Sequence, residues 1–132
     1  YPVAGSSTTS YLYNQELGVD DDGSAMTAYI QSSPTGFDAG EDYLFIRRLI
    51  PDIDFSQSAA SATKEAVFTV LTQRFPGTGF VGSTASTVSS TTEQSFIRAR
   101  GRSFGLRVES TGVGVGWRLG SSRVDVRADG QR

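Results

Sequence analysis

At 132 residues the chain is long enough for one domain with a real core and too short for two. It holds no cysteine and no histidine, which excludes disulfides, cysteine-based zinc sites and histidine acid–base chemistry within it. The formal net charge is −2, yet nine acids face only Arg47 and Arg48 over residues 1–54, while eight arginines face three acids over residues 98–132. That asymmetry calls for pairing between the halves or for contacts with neighbouring subunits.

Residues 1–9 are small and polar and read as an N-terminal arm or linker to a single domain spanning 10–132. The opening without Met reads as the C-terminal part of a longer chain. Tyr11–Asn14 predicts a short strand, followed by an acidic turn at Asp20-Asp21-Asp22-Gly23. Met26, Ala28 and Ile30 alternate with Thr27, Tyr29 and Gln31, which predicts a strand with one apolar face. Tyr43–Ile50 is the most apolar predicted strand. Strict alternation places Arg47 and Arg48 on its opposite faces, so at least one of them belongs at a strand end, an edge or an interface.

Ala66, Phe68 and Val70 alternate with Val67, Thr69 and Leu71, and the β-branched density favours a strand there over a helix. Residues 75–92 are dominated by Gly, Ser and Thr and read as a long adaptable loop that orders against a neighbour. Strands are then predicted at 94–100, 102–110, 113–119 and 123–127. Phe104, Leu106 and Val108 share one face; Val115, Trp117 and Leu119 share another, with Trp117 as a core anchor; Val124 and Val126 oppose Arg123, Asp125 and Arg127. About eight short strands separated by turn residues predict an all-β fold, an antiparallel β-sandwich of jelly-roll or immunoglobulin-like outline.

No apolar stretch approaches the length of a membrane span. The acidic turn lacks the alternating ligands and distal Glu of a helical calcium loop, although Asp38, Glu41 or Asp42 could complete a shared site. Asp52 and Asp54 fall on one face if extended, as a glycosidase pair would, but nothing in the sequence marks a substrate cleft. Gly112–Gly116 has neither the spacing nor the following helix of a nucleotide-binding loop. No cofactor is expected, and the chain does not read as an enzyme.

The candidate interface is the arginine series Arg98, Arg100, Arg102, Arg107, Arg118, Arg123 and Arg127. The plain alternative is a solvated sheet face with cross-strand ion pairs. Direct DNA contact is not expected of a chain with net negative charge.

Several phrases together carry a resemblance. They are Asp21-Asp22-Gly23 with Met26-Thr27-Ala28-Tyr29-Ile30-Gln31-Ser32-Ser33, Phe37-Asp38-Ala39-Gly40-Glu41-Asp42, Phe45-Ile46-Arg47-Arg48-Leu49-Ile50-Pro51-Asp52, Arg100-Gly101-Arg102, Leu106-Arg107-Val108-Glu109-Ser110, Gly116-Trp117-Arg118-Leu119-Gly120, and the closing Arg123-Val124-Asp125-Val126-Arg127-Ala128-Asp129-Gly130-Gln131-Arg132. Over residues 10–132 the chain resembles the C-terminal domain of a virion structural protein of short-tailed bacteriophages, of the tail or packaged-DNA stabilisation type. One departure is the close, where a second basic residue before the terminal Arg would be expected. The resemblance implies a non-catalytic tail hub or nozzle subunit in the virion. Its partners would be other copies of itself in a ring and portal-proximal tail proteins. A different class also fits the strand pattern: a carbohydrate-binding sandwich for host recognition, with Tyr11, Tyr13, Tyr29 or Tyr43 aligned on one face.

Overall fold

Period-two alternation becomes two antiparallel sheets that bury their apolar faces against each other, a β-sandwich. The computed structural model describes residues 1–36 and 42–130. The sequence phrases and candidate ligands at 37–41 and the closing 131–132 lie outside the described residues. The strands are β1 (Val3–Gly5), β2 (Leu12–Asn14), β3 (Ala28–Gln31), β4 (Leu44–Ile50), β5 (Ile53–Asp54), β6 (Glu65–Gln73), β7 (Gly82–Ser89), β8 (Ser95–Gly101), β9 (Ser103–Ser110), β10 (Arg118–Leu119) and β11 (Arg123–Ala128).

One sheet runs β3-β9-β6-β7 and the other β11-β4-β8; β1-β2 and β5-β10 are separate short pairs. From β3 onward in the two large sheets, every connection but the β6–β7 hairpin changes sheet. The core lies between the sheets. Phe68, Val70, Val88 and Val108 come from one side and Ile46, Leu49 and Ile97 from the other, all at most 2% exposed. Burial of such side chains contributes roughly 1.5–3 kcal/mol each.

The β8–β9 corner explains a glycine. Gly101 is buried where the chain leaves one sheet for the other, and a Cβ there would meet Thr72 Cβ at 3.1 Å and the Gln73 carbonyl oxygen at 3.2 Å. The same carbonyl accepts the Arg102 N–H at 3.0 Å, so the corner is held by a backbone bond at the point of closest approach. A side chain at 101 would have to push the corner open.

One end of the sandwich is sealed by loops. Phe55 and Val115 are buried there. The Ser58 hydroxyl donates to the Gly116 carbonyl at 2.8 Å and accepts its N–H at 3.1 Å. Half-buried Trp117 packs against the core as expected and donates its indole N–H to Ser110 Oγ at 2.8 Å. The two sheets also meet along one side, where Thr84 Oγ1 of β7 donates to the Arg98 carbonyl of β8 at 3.3 Å and Ser86 bonds Ser95.

Three expectations need correction. Residues 75–92 are not one long loop: β7 occupies 82–89, pairs with β6 from Glu65↔Ser89 to Thr72↔Gly82, and buries Val88 completely. Thr and Ser hydroxyls stand where hydrophobic residues would have announced the strand. The predicted strand 113–119 shrinks to Arg118–Leu119. Gly114 at φ +71 and the close packing of Gly116 hold the preceding residues in a turn. The apolar face of β3 is not buried: all four residues are exposed, because Ile30 pairs with Val108 at the sheet edge. Within the expected arm, Val3–Gly5 forms β1 and pairs with β2.

Candidate interaction face

The outer face of the β11-β4-β8 sheet collects the most charge, and an irregularity in β4 makes this possible. Against β11, Ile46 pairs with Val126 and Arg48 with Asp125, so Arg47 is an extra residue, a β-bulge. The bulge flips the alternation. Leu44 and Ile46 point inward before it, Leu49 points inward after it, and both arginines point outward. Strict period-two reading had set the two on opposite faces.

Along β8 the alternation buries Ile97, Ala99 and Gly101 and turns out Phe96, Arg98 and Arg100. Phe96 is 77% exposed, a large aromatic side chain among cations. On β11, Arg123, Asp125 and Arg127 face the same way. Phe45, Arg47, Arg48, Phe96, Arg98 and Arg127 line one shallow depression. Among the described residues, six arginines on this face, at 47, 48, 98, 100, 123 and 127, stand against Asp125 and Asp129.

Four of the seven predicted interface arginines therefore converge: Arg98, Arg100, Arg123 and Arg127. The other three lie elsewhere. Arg102, at the β8–β9 corner, sits over the Tyr43 ring at 4.7 Å and the Phe75 ring at 5.4 Å. Arg107 of β9 sits over Tyr29 at 4.0 Å and pairs with Glu109 at 3.1 Å. Arg118 of β10 pairs in register with Asp54. Such cation–aromatic contacts contribute roughly 0.5–1 kcal/mol at exposed sites. Arg47, Arg48 and Phe96 were not among the predicted site residues. The signal for Phe96 was present, since it shares its parity with Arg98 and Arg100.

Asp125 is the electrostatic centre of the face. Its Oδ2 accepts from Arg47 Nε at 2.9 Å and lies 3.7 Å from Arg48 Nη2. Arg48 Nη1 also donates to Gln94 Oε1 at 3.4 Å. Arg100 pairs with Asp129 and covers the Tyr43 ring at 4.2 Å. Among the described residues the ion-paired carboxylates Asp125, Asp129 and Glu109 come from the arginine-rich third itself, and Glu16, Asp20, Asp21 and Asp22 form no ion pair.

The Arg47 hydrogen bond, aided by the Arg47, Arg48 and Arg127 charges, lowers the Asp125 pKa below the ordinary 3.8, against a smaller desolvation effect. A group with a lowered folded pKa adds stability that is complete above its unfolded value and lost as pH falls through the folded one. Asp125→Asn is therefore expected to flatten the fall in melting temperature below about pH 4, with a small effect at neutral pH because the pair is exposed. An acid limb as steep in the variant as in the parent, followed by circular dichroism, would contradict this.

The other chemically suggestive residues have local structural work. Asp52 Oδ2 accepts the Ser121 N–H at 2.8 Å, and the Asp54 carboxylate accepts the N–H and hydroxyl of Ser56 at 2.9 and 2.7 Å. Those bonds, with Arg118 nearby, lower the Asp54 pKa. Of the four tyrosines considered for sugar stacking, Tyr13 lies on β2 and Tyr29 on β3 of a different sheet, Tyr11 and Tyr43 lie outside the strands, and arginine covers Tyr29 and Tyr43. Among the described residues, no group of three or more Asp or Glu is placed to hold a metal ion, and no helix is long and apolar enough to cross a membrane.

Fold and face together define a β-sandwich module with a cationic sheet surface that exposes one large aromatic side chain. No protein-family model matches the chain, and no curated protein matches it.

Proposed function

We propose that the chain is a structural component of a tailed-phage virion, a tail hub or nozzle subunit or tail accessory protein that assembles by protein–protein contacts near the portal and DNA exit channel. The observation that carries an assembly role is the β11-β4-β8 outer face. It is held by a paired sheet, is rich in arginine, and carries an exposed Phe96 on its β8 edge strand. Arginine and aromatic residues are the types enriched at protein interfaces, where the planar guanidinium binds carboxylates in a fork and the ring fills a pocket. The phage context rests on the resemblance of the residue phrases, above all Arg123 through Asp129.

Mass spectrometry of density-purified, nuclease-treated virions tests this reading. Peptides of the chain are expected at a stoichiometry of several copies per particle. Their absence from intact particles would overturn it.

A further inference from the structure

We propose that the arginine–phenylalanine face receives the acidic N-terminal segment of a second copy of the chain, in a head-to-tail contact. The inference rests on the reading of the chain as an assembly subunit and names the surfaces that meet. Residues 1–27 contain Glu16, Asp20, Asp21 and Asp22 and no Lys or Arg. Among the described residues, the outer face of β11-β4-β8 carries six arginines against two aspartates. The two patches are thus opposite in sign and similar in net charge.

Neither patch is neutralised by the other within one copy. Among the described residues the four acids form no ion pair, and Arg98, Arg123 and Arg127 form none either. The acidic concavity is lined by residues from Tyr13 to Gly23 and shares none with the cationic depression. Its own attachment is elsewhere, with Val19 pressed so close to Gly116 that a Cβ there would meet it at 2.8 Å.

The apolar content matches as well. Tyr11, Leu12 and Leu17 are 66%, 80% and 57% exposed beside the acids, and Phe96 is 77% exposed among the arginines. The β1-β2 pair, which holds Leu12 and is preceded at β2 by Tyr11, has no ladder bond to either large sheet. A two-stranded ribbon of this size is marginal by itself and gains most from a surface to lie on. Duplex DNA is also anionic, but its outer surface is phosphate and sugar, and Asp125 and Asp129 within the face oppose a phosphate backbone. A contact between two different patches is heterologous, so repetition closes a ring or extends a filament.

The test is sedimentation velocity on the full chain at low and high salt, with two charge reversals: Arg98→Glu/Arg127→Glu on the face and Glu16→Lys/Asp21→Lys on the segment. The parent is expected to form oligomers that weaken with salt, and each variant to associate about tenfold or more less tightly. An equimolar mixture of the two variants retains one intact pair of patches and is expected to stop at the heterodimer. Thermal melts confirm that the variants fold.

A parent that stays monomeric, a mixture that stays monomeric, or oligomers indifferent to both reversals would overturn the contact. So would tight binding of a short DNA duplex at physiological salt that only the face variant loses. Oligomers indifferent to the reversals leave the assembly reading standing, whereas absence of the chain from virions removes that reading itself.

Discussion

Replacing Phe68 with Ala is expected to lower stability by about 3–5 kcal/mol. Phe68 lies mid-way along β6, between Ser86 of β7 and Val108 of β9, and is fully buried. Its ring faces the opposing sheet, where the largest apolar residues are Ile46, Leu49 and Ile97. Removing it deletes the apolar contact and leaves a cavity that two paired sheets cannot close without breaking register. A domain of this size has about 5–15 kcal/mol in all, so the variant should melt on the order of 10–20 °C lower. Urea unfolding followed by circular dichroism measures it. A loss below about 1 kcal/mol would mean that the sheets do not meet at this residue.

Deleting residues 80–90 is expected to prevent folding altogether. The deletion removes β7 and its eight paired positions along β6. It removes buried Val88, and it removes Phe80, whose ring lies against Gly105 so closely that a Cβ there would meet it at 2.8 Å. It also strips the edge of β6, exposing a nine-residue strand to pairing with other chains. Aggregation on expression, or a collapsed amide spectrum, is the expected result. A soluble, cooperatively melting product would show that β7 is dispensable. Substitutions at the outward Ser83, Ala85 and Thr87 should by contrast shift stability by no more than about 0.5 kcal/mol.

Those two outcomes mark where the sequence was legible. β6 was readable because Ala66, Phe68 and Val70 alternate with Val67, Thr69 and Leu71, and side chains of that kind report the pleat directly. β8, β9 and β11 were readable for the same reason. β7 follows the same two-residue period, with Gly82, Thr84, Ser86 and Val88 leaning inward. Three of those four are small or polar, so the period leaves no hydrophobic trace. Small groups suit the place, since this strand lies where the two sheets approach each other and Thr84 and Ser86 bond across.

The site was half legible. Arg98, Arg100, Arg123 and Arg127 follow from alternation alone. The link to Arg47 and Arg48 does not, because it depends on a residue that belongs to no ladder pair with β11. Among the described residues, the ion pairs between the halves, Arg47 and Arg48 with Asp125, have signs opposite to those of the net charges, whereas Asp54 beside Arg118 follows them.

The bulge at Arg47 has a consequence for how β4 tolerates change in length. The strand behaves like a text read in twos with one supernumerary letter: even numbers are interior before the insertion and odd numbers after it. Excising Arg47 would leave Leu44, Phe45, Ile46, Arg48, Leu49 and Ile50 in unbroken in–out order, with Val124, Asp125 and Val126 in regular register opposite. The edge toward β8 would have to shift, because that strand carries its own compensating irregularity beside Ile46. The extra residue is therefore dispensable to the core on one flank. What it adds is a second cation beside a single carboxylate, a density of positive charge that a regular strand of the same span has no position for.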